Sequence, residues 1–250
     1  PRPTTAPTTA GWLNAIGLKN PGIDNVLAEK LPWLASHYPE LPIIGSVAGA
    51  SFDEYVTVAQ KMASAENVKL LEINISCPNV EHGGLAFGTD PDTVTALTKA
   101  IVDVVDKPVF MKLTPNVTDI VPIAKAAEAG GAAGLTMINT LTGMGIDLQT
   151  RRPILAHGTG GLSGKAIHPL AVRMIHEVRQ QTTLPIIGVG GVFTPEDVLE
   201  FYLAGANAVQ VGAATYGQPT ACTDIIAGLP AAMDKYGITS LQALIKEVQG

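Results

Sequence analysis

From residue 41 onward the chain alternates short apolar runs rich in β-branched residues with stretches whose apolar positions recur at helical spacing. That alternation predicts repeated βα units around a parallel sheet. Strands are expected at 41–48, 68–75, 108–113, 134–139, 185–189 and 208–212, most of them near-continuous hydrophobic runs, as strands buried on both faces should be. Between them, Val94, Leu97, Ile101 and Val105 mark a helix over 93–105, and a second helix over 119–129 ends at Gly130-Gly131. Thr194-Pro195-Glu196-Asp197 offers an N-cap, a first-turn proline and a third-position acid, so a helix starts there and stops at Gly205.

The first forty residues are less regular. Residues 1–11 read as a Pro/Thr-rich loop, and 21–36 as a helix interrupted by Pro32, so this region supplies no two convincing strands. No repeat and no linker divides the 250 residues, which predicts a single domain over 1–250. Six βα units leave two solutions, an open doubly wound sheet or a (βα)8 barrel whose chain starts downstream of two further strands.

Composition narrows the function. Hydrophobic residues make up 46% and charged residues 15%, and 16 Lys+Arg against 22 Asp+Glu give a net charge of −6 with no basic block. Nucleic acid is therefore a poor partner. No apolar run has the length of a membrane span, and PRPTTAPTTAG lacks the features of a signal peptide, so the expectation is a cytoplasmic protein with no membrane partner. Two cysteines, Cys77 and Cys222, are too few for a disulfide framework. The five histidines show no metal-ligand spacing with Cys, Asp or Glu, and no metal is expected.

The chemistry gathers at one place. Asn74, Lys112, Asn139, the pair Gly190-Gly191 and Gly212 all fall at or just past the carboxyl ends of expected strands, the rim where parallel α/β proteins bind ligands. Glycines there let backbone N–H groups approach a phosphate. Lys112, inside Phe110-Met111-Lys112-Leu113, needs an anion, a substrate or solvent; it suits a fixed cation beside an electron-accepting ring, or a Schiff-base amine. In Asn74-Ile75-Ser76-Cys77-Pro78-Asn79 two amides flank a thiol, a set able to hold a planar ring bearing carbonyls and N–H groups and to remove a proton from it. The stretch from Asn139 to the strand at 185 reads as a long glycine-rich connection of the functional or mobile kind.

These motifs, with Asn14-Ala15-Ile16-Gly17-Leu18, Lys112-Leu113-Thr114-Pro115-Asn116, Ile138-Asn139-Thr140, Gly160-Gly161-Leu162-Ser163-Gly164 and Gly188-Val189-Gly190-Gly191, resemble those of dihydroorotate dehydrogenases. Val80-Glu81-His82-Gly83-Gly84-Leu85-Ala86-Phe87-Gly88 is more similar to the NAD-linked class 1B catalytic subunits than to the other classes. The resemblance implies a (βα)8 TIM barrel that binds FMN, with about two N-terminal strands and a second active-site lysine lying before the start of this chain. It implies oxidation of dihydroorotate to orotate in pyrimidine synthesis. Asn14, Asn74, Asn79, Asn139 and Thr140 would hold the substrate, helped by the backbone of Ala15, Ile16, Gly17 and Leu18. Cys77 would be the base, and Lys112 would stabilise the reduced flavin. Ser46, Asn74, Ile138, Gly164, Gly190, Gly191, Gly212 and Ala213 would border the FMN; Ser46 and Ala213 are shorter than the family's usual Asn and Thr. Class 1B also implies a partner subunit carrying FAD and a 2Fe-2S cluster, and family members commonly form homodimers. The alternatives left open by the residues are a barrel lyase or aldolase using Lys112 as a Schiff-base nucleophile, and a non-catalytic partner.

Overall fold

A computed structural model of the chain describes residues 3–75 and 85–249. In chain order the elements are β1 (Thr5–Thr8), β2 (Gly11–Asn14), α1 (Ile23–Asn25), a π turn (Val26–Lys30), α2 (Leu31–His37), β3 (Ile43–Val47), α3 (Phe52–Ala63), β4 (Val68–Asn74), α4 (Leu85–Gly88), α5 (Pro91–Val102), β5 (Val109–Lys112), α6 (Val121–Ala129) and β6 (Gly134–Met137). There follow β7 (Leu141–Gly143), β8 (Ile146–Asp147), β9 (Arg152–Pro153), β10 (Gly160–Ser163), a 3-10 turn (Lys165–Ile167), α7 (His168–Arg179), β11 (Ile186–Val189), α8 (Pro195–Ala204), β12 (Ala208–Gln210), α9 (Ala214–Gly217), α10 (Ala221–Tyr236) and α11 (Leu241–Gln249). All six expected parallel-sheet strands form, each shortened by one to three residues at its ends. The chain falls into two compact units, one of residues 17–114 and 122–135, the other of 1–16, 115–121 and 136–250.

In the first unit β3, β4 and β5 run parallel, with β6 entering beside β5, so the order is β6-β5-β4-β3. Val68, Leu71 and Ile73 of β4 and Met111 of β5 are fully buried, as are Leu97 and Ile101 of α5, which is why these strands read as largely apolar runs. Helix α5 starts where Asp90 caps the Thr93 amide at 2.9 Å, and the Thr93 hydroxyl also bonds to it; these bonds hold the Asp90 carboxyl below its ordinary range. The helix broken by Pro32 is instead continuous. Pro32 lacks an N–H and its ring collides with the carbonyl four residues back, and the widened π turn immediately before it lets the axis carry on. Strand β3 has a neighbour on one side only among the described residues, and Ile44 is 44% exposed there.

The second unit holds two corrections. Residues 1–11 are not simply loop: β1 and β2 form an antiparallel hairpin, and β2 pairs on through β10 to β7. Two-sided Pro/Thr composition hid the pattern because only Ala6 and Leu13 of the hairpin turn into a core, against Ala15 and Leu155. Likewise the connection after Asn139 is structured, containing β7 to β10 and the twelve-residue α7. The same unit pairs β11 with β12 in parallel, β6 lying beside β11. Helix α8 begins at the expected capping box, in which Thr194 accepts from the Asp197 amide at 3.2 Å and Asp197 accepts from the Thr194 amide at 2.8 Å; it ends at Gly205 with φ +111°.

Arg179 closes the end of α7 onto the strand that follows. It is 6% exposed and donates to the carbonyls of Gly205, Thr182 and Leu184 and to the Asn207 side chain, at 2.7 to 3.1 Å. Burial pulls its pKa below the ordinary arginine value, but guanidinium remains charged at any ordinary pH. Arg179→Met should strand several buried acceptors and lower stability by about 3 kcal/mol, read as the midpoint shift in urea unfolding; a change under about 0.5 kcal/mol would remove this residue as the tie.

Candidate active site

Of the expected site residues that the structure describes, the first unit holds Gly17, Leu18, Ser46, Asn74 and Lys112, and of these Asn74 and Lys112 end its strands. Register pairs Asn74, the last residue of β4, with Lys112, the last of β5, so the two side chains are set beside each other at one rim. Tyr55, fully buried on α3, donates its hydroxyl to the Asn74 carbonyl at 2.8 Å and fixes where β4 ends. Gly17, Leu18, Ser46 and Asn74 line one cavity of about 880 Å³, together with Gly49, Glu54 and Met62. A cavity of that size is in the range of small-molecule and cofactor sites. Cys77 and Asn79 lie outside the described residues.

The anion that Lys112 requires is Glu72. Its carboxylate sits 3.1 Å from the Lys112 ammonium, and the two side chains are 7% and 20% exposed. A pair so shielded needs both members, because a lone buried charge is costly. The sequence contained the signal: an acid inside Leu70-Leu71-Glu72-Ile73 is as out of place as the lysine one strand over. The pairing makes Lys112 a fixed, oriented cation.

The second unit carries the rest. Asn14 ends β2 and donates to the Gly161 carbonyl of β10 at 3.3 Å. A β-carbon at Gly161 would meet the Thr140 hydroxyl oxygen at 2.2 Å, so Gly161 is what allows Thr140 to come this close to β10. The Asn139 side chain accepts from the Thr140 amide at 2.8 Å. Asn116, in a motif already singled out but given no role, holds the same turn from the other side: it donates to the Thr140 carbonyl at 3.0 Å and accepts from the Thr142 amide at 2.8 Å. Ala15 is buried at 2%, and its amide donates to Thr4, whereas Ile16 is 50% exposed. Ile138 is tied to the end of β11 by its amide, which donates to the Val189 carbonyl at 2.9 Å.

The glycine loops of this unit fit a phosphate. Gly164, Gly190 and Gly191 take φ values of +99°, +141° and +69°, which side-chain-bearing residues rarely adopt. A β-carbon at Gly191 would meet the Gly164 carbonyl oxygen and the His168 Cβ, each at 2.8 Å, while one at Gly212 would meet nothing within 4 Å. Gly212 and Ala213 lead into α9, and the space beside Gly212 is open. This is glycine backbone shaped for close approach by an anion.

One grouping was not legible from spacing. His168, Asp197 and Glu200, brought together from α7 and α8, have side-chain atoms within 4.8 Å of one another. His168 reaches the Gly190 carbonyl and Glu200, and Asp197 accepts from the Phe193 and Thr194 amides. Cys222 is exposed at the start of α10.

A family model described as dihydroorotate dehydrogenase matches residues 1–233. The chain belongs to that family. Dihydroorotate dehydrogenase A (fumarate) of Lactiplantibacillus plantarum is 92% identical over 250 residues, which cover 100% of this chain and 82% of that protein. A putative enzyme of the same name from Pediococcus pentosaceus is 66% identical over 99% of this chain and 82% of its own. Dihydroorotate dehydrogenase B (NAD(+)), catalytic subunit, of Streptococcus pneumoniae is 59% identical over 100% of this chain and 80% of its own. Among solved structures, dihydroorotate dehydrogenase of Eimeria tenella in complex with ferulenol superposes with a TM-score of 0.78 at 20% identity, covering 98% of this chain and 75% of that one, a likeness of fold. The chain is thus an oxidoreductase of pyrimidine synthesis with the α/β architecture of a (βα)8 barrel family, and the lyase and non-catalytic readings fall away. Among the described residues no helix is long and apolar enough to cross a membrane.

The buried pair gives a test independent of activity. Lys112→Met should cost about 3 kcal/mol by leaving Glu72 uncompensated, and adding Glu72→Gln should recover most of that loss in thermal or urea unfolding. Additive losses in the double variant would show that the two groups are not coupled.

Proposed function

We propose that the chain oxidises dihydroorotate to orotate on a bound FMN, with Cys77 as the base and Lys112 as the electrostatic anchor. The observation that carries the reading is the register of Asn74 against Lys112 at the strand ends, with Cys77 three residues past Asn74. When bound, FMN supplies the acceptor for the C6 hydride and its two electrons. The chain's own residues do the rest. Asn14, Asn74, Asn79, Asn139 and Thr140 donate to and accept from the ring carbonyls, ring N–H groups and carboxylate, which fixes the C5 hydrogen toward the base. Backbone groups from Ala15 to Leu18 help to hold the same ring. Cys77 takes the C5 proton on its sulfur, and Lys112, held by Glu72, presents a positive charge where negative charge develops. Ser46 and Ile138 border the flavin ring system, and Gly164, Gly190, Gly191, Gly212 and Ala213 receive its ribityl phosphate. The protein acts in the cytoplasm, as a homodimer.

Two electron acceptors are supported by different observations. The 80–88 motif and the 59% identical catalytic subunits support NAD+, reached through a partner subunit carrying FAD and a 2Fe-2S cluster. The names of the relatives at 92% and 66% identity support fumarate, reduced by the catalytic chain itself. Turnover of the purified chain with dihydroorotate and fumarate alone favours the second; turnover with NAD+ that appears only on adding the FAD and 2Fe-2S subunit favours the first.

The base assignment predicts a pH signature. A thiol ionises near 8.5 and a serine hydroxyl far above it, so Cys77→Ser should lose at least about 100-fold in kcat at pH 7 and regain part of it as pH rises. A wild-type rate at pH 7 would remove Cys77 from this role.

A further inference from the structure

The α8 N-terminus, the obvious seat for a phosphate beside Gly190-Gly191, is already filled by the chain itself. Asp197 accepts from the amides of Phe193 and Thr194 at 2.8 Å each, and Thr194 accepts from the Asp197 amide at 3.2 Å. A helix end whose first residue is a proline and whose neighbouring amides are taken by its own capping box offers an anion little. The donors must then come from the glycine turn before it.

That turn is gripped by a histidine. His168, the first residue of α7 and 9% exposed, points Nδ1 at the Gly190 carbonyl oxygen at 3.0 Å. A carbonyl only accepts, so the ring nitrogen donates. At the other side of the ring Nε2 lies 3.0 Å from the Glu200 carboxylate and 3.9 Å from Asp197, and the Phe201 ring packs against the imidazole at a centroid distance of 4.8 Å. In a planar trans peptide the N–H points opposite to the C=O. With the Gly190 carbonyl drawn to His168, the Gly191 N–H is aimed away from that ring. Gly191 is wedged against the His168 backbone and the Gly164 carbonyl, so this peptide has little freedom to flip.

We propose that His168 is a positioning residue for the flavin phosphate: clamped between Glu200 and the Gly190 carbonyl, it orients the Gly190–Gly191 peptide so that the Gly191 N–H donates to that phosphate. The inference rests on the FMN reading above. It assigns the phosphate to loop amides rather than to the α8 terminus, and it gives the Glu200 carboxylate, 56% exposed on the surface, a role in holding the ring.

The test compares two flavins on the whole chain stripped of cofactor, FMN and riboflavin, which lacks the phosphate, with binding followed by flavin fluorescence. Wild type should bind FMN more tightly than riboflavin. His168→Leu should weaken FMN roughly tenfold, the worth of one charge-assisted hydrogen bond, and leave riboflavin unchanged. His168→Asn, which keeps an amide donor near the Nδ1 position, should restore FMN affinity to within about threefold of wild type. Equal losses for both flavins, or no loss for either, would overturn the proposal. If His168→Leu does not fold, Glu200→Ala at the surface end of the clamp decides: an FMN-specific loss upholds the role and none overturns it. A wild-type chain that binds neither flavin would sink the FMN reading itself, a result distinct from FMN binding that ignores residue 168.

Discussion

The arrangement of this molecule depends on strand register at the carboxyl edge of a parallel sheet. Neighbouring parallel strands present side chains to one face in step, so the residue that ends β4 and the residue that ends β5 arrive together. Because Asn74 and Lys112 are register partners, an amide and a cation stand at one rim without any loop having to deliver them. The buried Glu72 two residues back on β4 holds that cation in place. A shift of one residue would turn Lys112 to the opposite face and leave Glu72 without its counter-charge, so the pair also penalises the wrong register.

Each unit braces its expected site groups by its own means. In residues 17–114 and 122–135 the site groups sit on strand ends, braced by Tyr55 and by the ion pair. In the other unit Asn14 ends a strand and bonds across to Gly161, while the groups on turns have their own braces, Asn116 across the Thr140 turn and His168 onto Gly190. Turns have many accessible conformations, and polar side chains that span them remove that freedom before a ligand arrives. Preorganisation of this kind lets binding free energy go to the reacting centre instead of to ordering the loop.

Much of this was legible in the residues, and the failures have physical causes. The strands announced themselves through Val, Ile and Leu runs, most plainly where burial on both faces demands them, as in β5 and β6, and the α8 start was legible because a capping box is local chemistry. The β1–β2 hairpin was hidden because its strands bury so little, and the structured stretch from β7 to α7 because glycine content suggested a loop where close strand packing at Gly160 and Gly161 was the reason. Lys112 was recognisable as a cation in search of a partner, but Glu72 became that partner only through pairing between strands. His168 comes from α7 and Asp197 and Glu200 from α8, and no spacing along the chain foretells the meeting of the two helices.

The central claim is that these residues serve a flavin that dihydroorotate reduces. Its most direct test is anaerobic titration of the purified, FMN-loaded chain with dihydroorotate, watching the visible absorbance of the oxidised flavin. The account predicts stoichiometric bleaching with release of orotate, one equivalent per bound flavin; a flavin band untouched by excess dihydroorotate, in protein shown to be folded and loaded, would contradict it.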